Sequence, residues 1–555
     1  MIDGIDLSRI QDEQTRELIV RLLNLIEQQA GIIRELQAKV QELRDEINRL
    51  KGEQGKPNIK GNKSGPKTPQ NHSSEKERRS KPLERGKKGK KAQIKIDREE
   101  VVKVSAEVLP EDAEFKGYVD VVVQDIVLKT DNVLFHKEKY YSASERQSYV
   151  AEMPPGYSGQ FGPGVQALAL VMYFGMQASE PKIHEFFGNV GVEISEGQVS
   201  NLLIKKQADF HQESAEVYAA GLRSSPWQHT DDTLTRVNGQ NQHCHVVCNP
   251  VYTAYHTRPT KERLSVLDVL RQGRKRIFRL NGEALGYVAS LNWSRKARQR
   301  LLNWAQEKGE RDLEEEQFFA ELDATLPKLS VQCRKALIDA AAIAAYHAET
   351  AFTVIQALIC DDAPQFNWLT KECLLCWVHE GRPYKKLMPV IPLHRELLAD
   401  FLKHFWEYYA QLLLYREHPS PEKSQLLEAE FDRLFATRTG YDELDQRIAK
   451  SQAKKSNLLL VLKHPELPLH NNPAELGARQ RVRKRDVSFG PRTQDGVRAW
   501  DTFATLAATT KKLGLSFYRY IFDRISGTGQ IAPLAHLVEN AARELNLGWS
   551  FTPNC

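Results

Sequence analysis

At 555 residues the chain is too long for a single hydrophobic core, so several domains are expected. With 41% hydrophobic and 27% charged residues it reads as a soluble globular protein, and no apolar run is long enough to span a bilayer. No basic-then-apolar leader opens it, and its seven scattered cysteines form no disulfide framework, so the reducing cytoplasm is the expected compartment.

The formal charge of +6 is unevenly spread. Between Lys51 and Lys95 there are 15 Lys/Arg against 4 Glu, a surplus of 11, which leaves the rest of the chain at −5. A basic segment on a mildly acidic body points to a polyanionic partner, nucleic acid first.

In chain order, the first predicted element is a helix, and the segment 1–50 is read as a coiled-coil oligomerisation element. From Ile19 to Leu50 a heptad holds, with Ile19, Ile26, Ile33, Val40 and Ile47 at a and Leu22, Gln29, Leu36, Leu43 and Leu50 at d. β-Branched a residues with Leu at d favour a parallel two-stranded coil, hence a homodimer. Residues 51–98 lack apolar periodicity and read as a basic disordered linker, in which Lys87, Lys88, Lys90 and Lys91 suit sequence-independent phosphate contact. Within 99–160 the β-branched alternation of 118–142 predicts two or three strands. Residues 161–222 read as helices. Gly191 breaks the pattern, and Ser195 to Gln198 has capping-box spacing, giving a region like a helix-turn-helix.

The remainder, 223–510, reads as one mixed-sheet body with helical insertions at about 271–350 and 390–465, followed by a helical tail over 511–555. Strands are predicted at about 227–237, 243–249 and 252–258, and again in the apolar run that ends at Asp361. Three acidic motifs lie in this body: HTDDT at His229–Thr233, ALICDDAPQF at Ala357–Phe366, and HNNPAELGARQRVRKR at His470–Arg485. Two carboxylates come from strand ends and one from the first turn of a helix, where a ribonuclease-H-like nuclease needs them. Converging, they could hold two Mg²⁺, with Mn²⁺ as a substitute, which relieves the repulsion between the acids and activates an attacking oxygen at a phosphodiester.

Each motif also has a plain structural reading. Neighbouring residues of a strand face opposite sides, so Asp231 and Asp232 cannot both serve one site, and Asp361 and Asp362 divide likewise. Asn472 at N-cap, Pro473 at N1 and Glu475 at N3 make a capping box. Arg479 and Arg483 follow Glu475 on one helix face, with Arg481, Lys484 and Arg485 around it; they suit either a phosphate backbone or a salt-bridge ladder. His243, Cys244, His245 and Cys248 alternate across a strand and read as core.

These motifs, with CWVHEGRPY and the run from His470 through Gly514, resemble the insertion sequence 66 family of DDE-type transposases. The resemblance is most specific over 227–239, 357–388 and 465–520, and it departs where that family carries a cysteine-rich element: no cysteine precedes Cys244. It implies Asp231, Asp361 and Glu475 as catalytic and metal-binding residues. Cys376, His379 and Asn472 would shape the site, and the cations at 479–485 would bind DNA. The implied activity is cleavage at transposon ends and transfer of the 3′-OH into target DNA, with transposon-end and target DNA, a second subunit and accessory transposon proteins as partners. The location would be bacterial and cytoplasmic, on the nucleoid when DNA-bound. The alternatives are a ribonuclease-H-like nuclease that does not join, or a transposase-derived DNA-binding regulator.

Overall fold

The computed structural model describes residues 10–50, 95–110, 113–157, 159–308 and 310–549. Helix α1 runs from Glu13 to Leu50, opened by Asp12, whose carboxylate accepts the Thr15 N–H at 2.8 Å. Its heptad residues beyond Ile19, among them Leu22, Ile26, Ile33, Leu36 and Leu43, are exposed. The basic linker over 51–94, including Lys87, Lys88, Lys90 and Lys91, lies outside the described residues.

The strands predicted over 118–142 are largely absent. Only β1 (Lys139–Ser142) forms, paired antiparallel with β2 (Gln147–Val150). Val119, Val121, Val123, Ile126 and Val127 stand exposed on irregular backbone. Alternation suits a strand, but the strand exists only where a neighbour completes its hydrogen-bond ladder.

Next come α2 (Pro163–Leu170), which continues as a π turn to Gly175, α3 (Glu180–Asn189), α4 (Glu196–Ile204) and α5 (Ala208–Arg223). Gly191, at φ +81°, turns the chain between α3 and α4, and the Ser195 hydroxyl accepts the Gln198 N–H at 3.2 Å. Val199 and Leu203 bury one face of α4, while Glu196, Asn201 and Lys205 stay on the surface.

Strands β3 (Trp227–Val237), β4 (Gln240–Asn249) and β5 (Tyr252–Arg258) form an antiparallel meander. An excursion follows: α6 (Arg263–Leu270), β6 (Ile277–Phe278), α7 (Gly282–Val288), α8 (Arg295–Lys308), β7 (Leu313–Glu314), α9 (Glu315–Thr325) and α10 (Val331–His347). The chain then returns as β8 (Ala357–Cys360), parallel to β3, and β9 (Glu372–Leu375), parallel to β8. The five strands lie in the order β5-β4-β3-β8-β9. All four residues of β8 are buried, as an apolar strand covered on both faces requires.

After β9 come α11 (Trp377–Lys386), α12 (Pro392–Glu417), α13 (Pro421–Phe435), α14 (Asp442–Gln452) and the short α15 (Lys455–Leu458) and α16 (Leu460–Lys463). Trp377, fully buried, gathers the rings of Phe405, Tyr408 and Phe431 into the core of this second excursion. Helix α1 docks here. Its buried Glu27 accepts the backbone N–H groups of Val390 (2.8 Å) and Ile391 (3.2 Å) at the start of α12, whose N-terminal dipole favours an anion.

The chain ends in α17 (Asn472–Ser488), α18 (Gln494–Lys512), α19 (Phe517–Ser526) and α20 (Leu534–Glu544). Helix α18 covers the free edge of β5. Asp501, Thr505 and Thr509, four residues apart, accept the N–H groups of Thr257 (2.6 Å), Tyr255 (3.1 Å) and Thr253 (3.3 Å). A helix face thus replaces the missing strand. Among the described residues no helix is long and apolar enough to cross a membrane.

Candidate active site

The pairing register decides which acids meet. On β3, Asp231 lies opposite Val246 and Asp232 opposite His245, so the two project to opposite faces. Strand β8 runs parallel to β3 with His229 beside Ile359 and ends at Cys360, so Asp361 follows its last residue, near enough for its charge to raise the Asp231 carboxyl. Asp232 is engaged on the other side, accepting from Gln365 Nε2 at 2.6 Å. Asp362 is held by Lys454 Nζ at 2.7 Å, and the same ammonium bonds buried Glu380 at 2.9 Å. Asp231 and Asp361 each accept a backbone N–H instead, from Asp232 at 2.9 Å and from Ala363 at 3.2 Å.

Helix α17 lies over the Asp231 face because Gly477 admits it. A Cβ at that position would come within 2.8 Å of Val246 Cγ1. Asn471 then fixes the helix start. Its Nδ2 donates to the Thr230 carbonyl (2.7 Å), its Oδ1 meets His229 Nδ1 (3.0 Å), and its backbone N–H reaches Cys376 Sγ (3.3 Å). The sequence reading gave the cap and the shaping role to Asn472. The helix instead begins one residue earlier, with Asn471 at N-cap, Asn472 as its first residue and Glu475 as its fourth. Asn472 is buried, and its Nδ2 has no hydrogen-bond partner among the described residues. The expected capping box is not formed. The Glu475 carboxylate turns instead to α11, where Arg382 Nη2 lies 2.9 Å from Oε2 and His379 Nδ1 3.3 Å from Oε1.

The electrostatics tie the acids together. Burial pushes Asp231 up to about 7, and the charges of Asp361, Asp232 and Glu475 add to the shift. Burial also raises Asp361, against the favourable field of His379. Carboxylates raised by burial and by one another need a cation to stay ionised, and an all-oxygen donor set suits Mg²⁺. Glu475 Oε1, buried and without a hydrogen-bond partner, is open to such an ion. The three acids do not close around a single point. Among the described residues, ligand atoms gather within 4.8 Å only at Cys376, His379 and Glu475. The Cys373-x-x-Cys376 pair does not converge on a metal either, since Cys373 Sγ lies 3.4 Å from Cys360 Sγ on the neighbouring strand. The Cys376 thiol is pushed up to about 11 by burial and already accepts a backbone N–H.

Residues 158–279, which span the helices before the sheet, the β3–β5 meander with Asp231, and the start of the first excursion, match the family model described as Transposase IS66 family. The chain belongs to the IS66 transposase family. It is also 34% identical over 324 residues to the uncharacterized protein y4jO of Sinorhizobium fredii (strain NBRC 101917 / NGR234), an alignment that covers 58% of this chain and 98% of that protein. Asp361 and Glu475 lie beyond the residues matched by the family model.

Of the cations that the sequence reading assigned to DNA around Glu475 in this IS66-family chain, two are committed inside it. Arg481 is buried, 2.7 Å from Thr257 Oγ1 and 3.1 Å from Asp501, with its guanidinium over the Trp500 ring. Lys484 is buried 3.2 Å above the Tyr173 ring and donates to the Ala178 carbonyl; burial pushes it down to about 7. Gly477, Arg481 and Lys484 recur at helical spacing on the inward face of α17, which charge alone does not reveal. Arg485 is half-buried and bonds the Leu234 carbonyl. Arg479 and Arg483 are exposed. Sequence reasoning missed Asn471, Arg382 and Lys454. The first stood beside the residue chosen, and the other two act across elements far apart in sequence.

Proposed function

We propose that this chain is a DDE-type DNA transposase that cuts at transposon ends and joins the freed 3′-OH to target DNA. The observation that carries this reading is that Asp231 on β3 lies within the field of both Asp361, one residue past the end of the adjacent parallel strand β8, and Glu475 on α17. The strand order β5-β4-β3-β8-β9, an antiparallel meander extended by two parallel strands, supports a ribonuclease-H-like body. Asp231, Asp361 and Glu475 would hold two Mg²⁺. Bound there, the ions supply Lewis-acid stabilisation of the attacking and leaving oxygens.

The chain's own residues set up the rest. Burial around Asp231 raises its carboxyl, and Asn471, donating to the Thr230 carbonyl, holds the start of the Glu475 helix against β3. Arg479 and Arg483, exposed beyond Glu475 on the same helix, offer two cations to a phosphate backbone. In the first step a water oxygen bonds to phosphorus and the bond to O3′ breaks, leaving a 3′-OH and a 5′-phosphate. In the second that 3′-OH attacks a target phosphodiester and displaces the target strand's own 3′ oxygen. Neither step requires a covalent enzyme intermediate. A strand-transfer assay with the element's terminal repeats and Mg²⁺ tests this reading. Wild type should yield joined product and Asp231→Ala none. Equal product from the two would sink the catalytic assignment.

A further inference from the structure

Helix α11 presents His379 and Arg382, one turn apart, to Glu475. The Arg382 fork bridges the two: one nitrogen lies 2.9 Å from Glu475 Oε2, and the other bonds His379 Nε2. With Nε2 accepting, the imidazole proton sits on Nδ1, which lies 3.3 Å from Glu475 Oε1 without forming a hydrogen bond to it. A guanidinium therefore already neutralises the one carboxylate of the three that comes from a helix.

Several features mark this pair as exchangeable. Arg382 is 46% exposed, on a long flexible stem, and it takes a single oxygen of Glu475. The second oxygen has no hydrogen-bond partner, and the neighbouring acids Asp231 and Asp361 make the site short of positive charge. A divalent ion brings more charge to the acids than one guanidinium can. Once released, the planar fork of Arg382 matches a phosphate better than any other side chain, and it would stand at the mouth of the site.

We propose that Arg382 is a DNA-phosphate-binding residue that waits on Glu475 as a resident counter-cation and transfers to the substrate backbone when metal occupies the acids. This rests on the metal-dependent reading of the site given above.

The test uses the full chain. Mn²⁺ binding without DNA is measured by electron paramagnetic resonance, and binding of a mixed-sequence DNA duplex in Ca²⁺ by fluorescence anisotropy across a salt series. Removing the competitor in Arg382→Gln should tighten Mn²⁺ binding about three- to tenfold. It should also weaken duplex binding and lower the salt slope by about one phosphate contact. Arg382→Lys keeps the charge and should hold Mn²⁺ affinity near wild type while recovering part of the duplex affinity. If wild type binds Mn²⁺ in an Asp231-dependent manner and Arg382→Gln leaves that affinity unchanged or weaker, the ion pair is fixed and the proposal is overturned while the metal reading stands. If wild type takes up no Mn²⁺, or Asp231→Asn changes nothing, the metal reading fails and the proposal falls with it.

Discussion

Asp361 and Asp362 are adjacent and chemically identical, yet their surroundings separate them. Asp362 lies against the Lys454 ammonium, while Asp361, the residue after β8, lies within the field that raises Asp231. On the proposed chemistry, Asp361→Asn should lower strand transfer by about a hundredfold or more, the scale on which losing one charge-stabilising group at a reacting centre acts. Asp362→Asn keeps a hydrogen-bond acceptor for Lys454 and should cost less than about tenfold. A reversed ranking in the same assay would reverse the assignment. The alternation within each acid pair was legible in the sequence from the period of a strand. That Asp362 is engaged by a lysine 92 residues further along the chain was not, because that contact crosses elements far apart in sequence. Arg481 and Lys484 teach the same lesson from the opposite sign. Among five cations in one basic helix, only the packing of Asp501, Trp500 and Tyr173 against α17 distinguishes those held inside.

At the scale of elements, the site depends on how closely α17 approaches the sheet. Gly477 faces Val246 on β4, the residue opposite Asp231. Gly477→Ala should push the helix outward and cost about 1–3 kcal/mol, the usual range for overpacking a close contact. Chemical denaturation gives that number. Val246→Ala in the same chain should recover part of it, and a Gly477→Ala protein as stable as wild type would show that the approach is not tight. The strands of the β3–β5 meander were readable because turns and alternation are local. The strands expected over 118–138 were misread for a related reason: local pattern reports that a segment can be a strand, not that a neighbour exists to pair with it. Helix α18 shows the converse. Asp501, Thr505 and Thr509 look unremarkable in sequence, and only their position along the β5 edge gives them their role.

At the scale of the whole molecule, α1 carries two faces. One, with Leu23 and Glu27, is buried against the helices that follow β9. The other, the a and d stripe, is exposed. We propose that a second copy of the chain covers that stripe, forming a dimer able to hold two DNA ends. Light scattering on the full chain should give the mass of a dimer, and of a monomer for Ile33→Asp combined with Leu36→Asp. An unchanged mass in that variant would exclude the stripe as the interface. Variants at Leu23 or Glu27 should leave the mass unchanged while loosening the helix from its own body.

Sequence by itself determined the ingredients: a long heptad helix, a basic segment, a sheet body broken by helical excursions, and three acidic motifs. Each is written in local periodicity, charge or residue type. Tertiary structure decided the assignments. It set Lys454 on Asp362 and Gln365 on Asp232, and moved the helix start from Asn472 to Asn471. It set Arg382 on Glu475 and withdrew Arg481 and Lys484 from the surface. Those outcomes depend on register and on contacts between residues hundreds of positions apart, which no local pattern encodes.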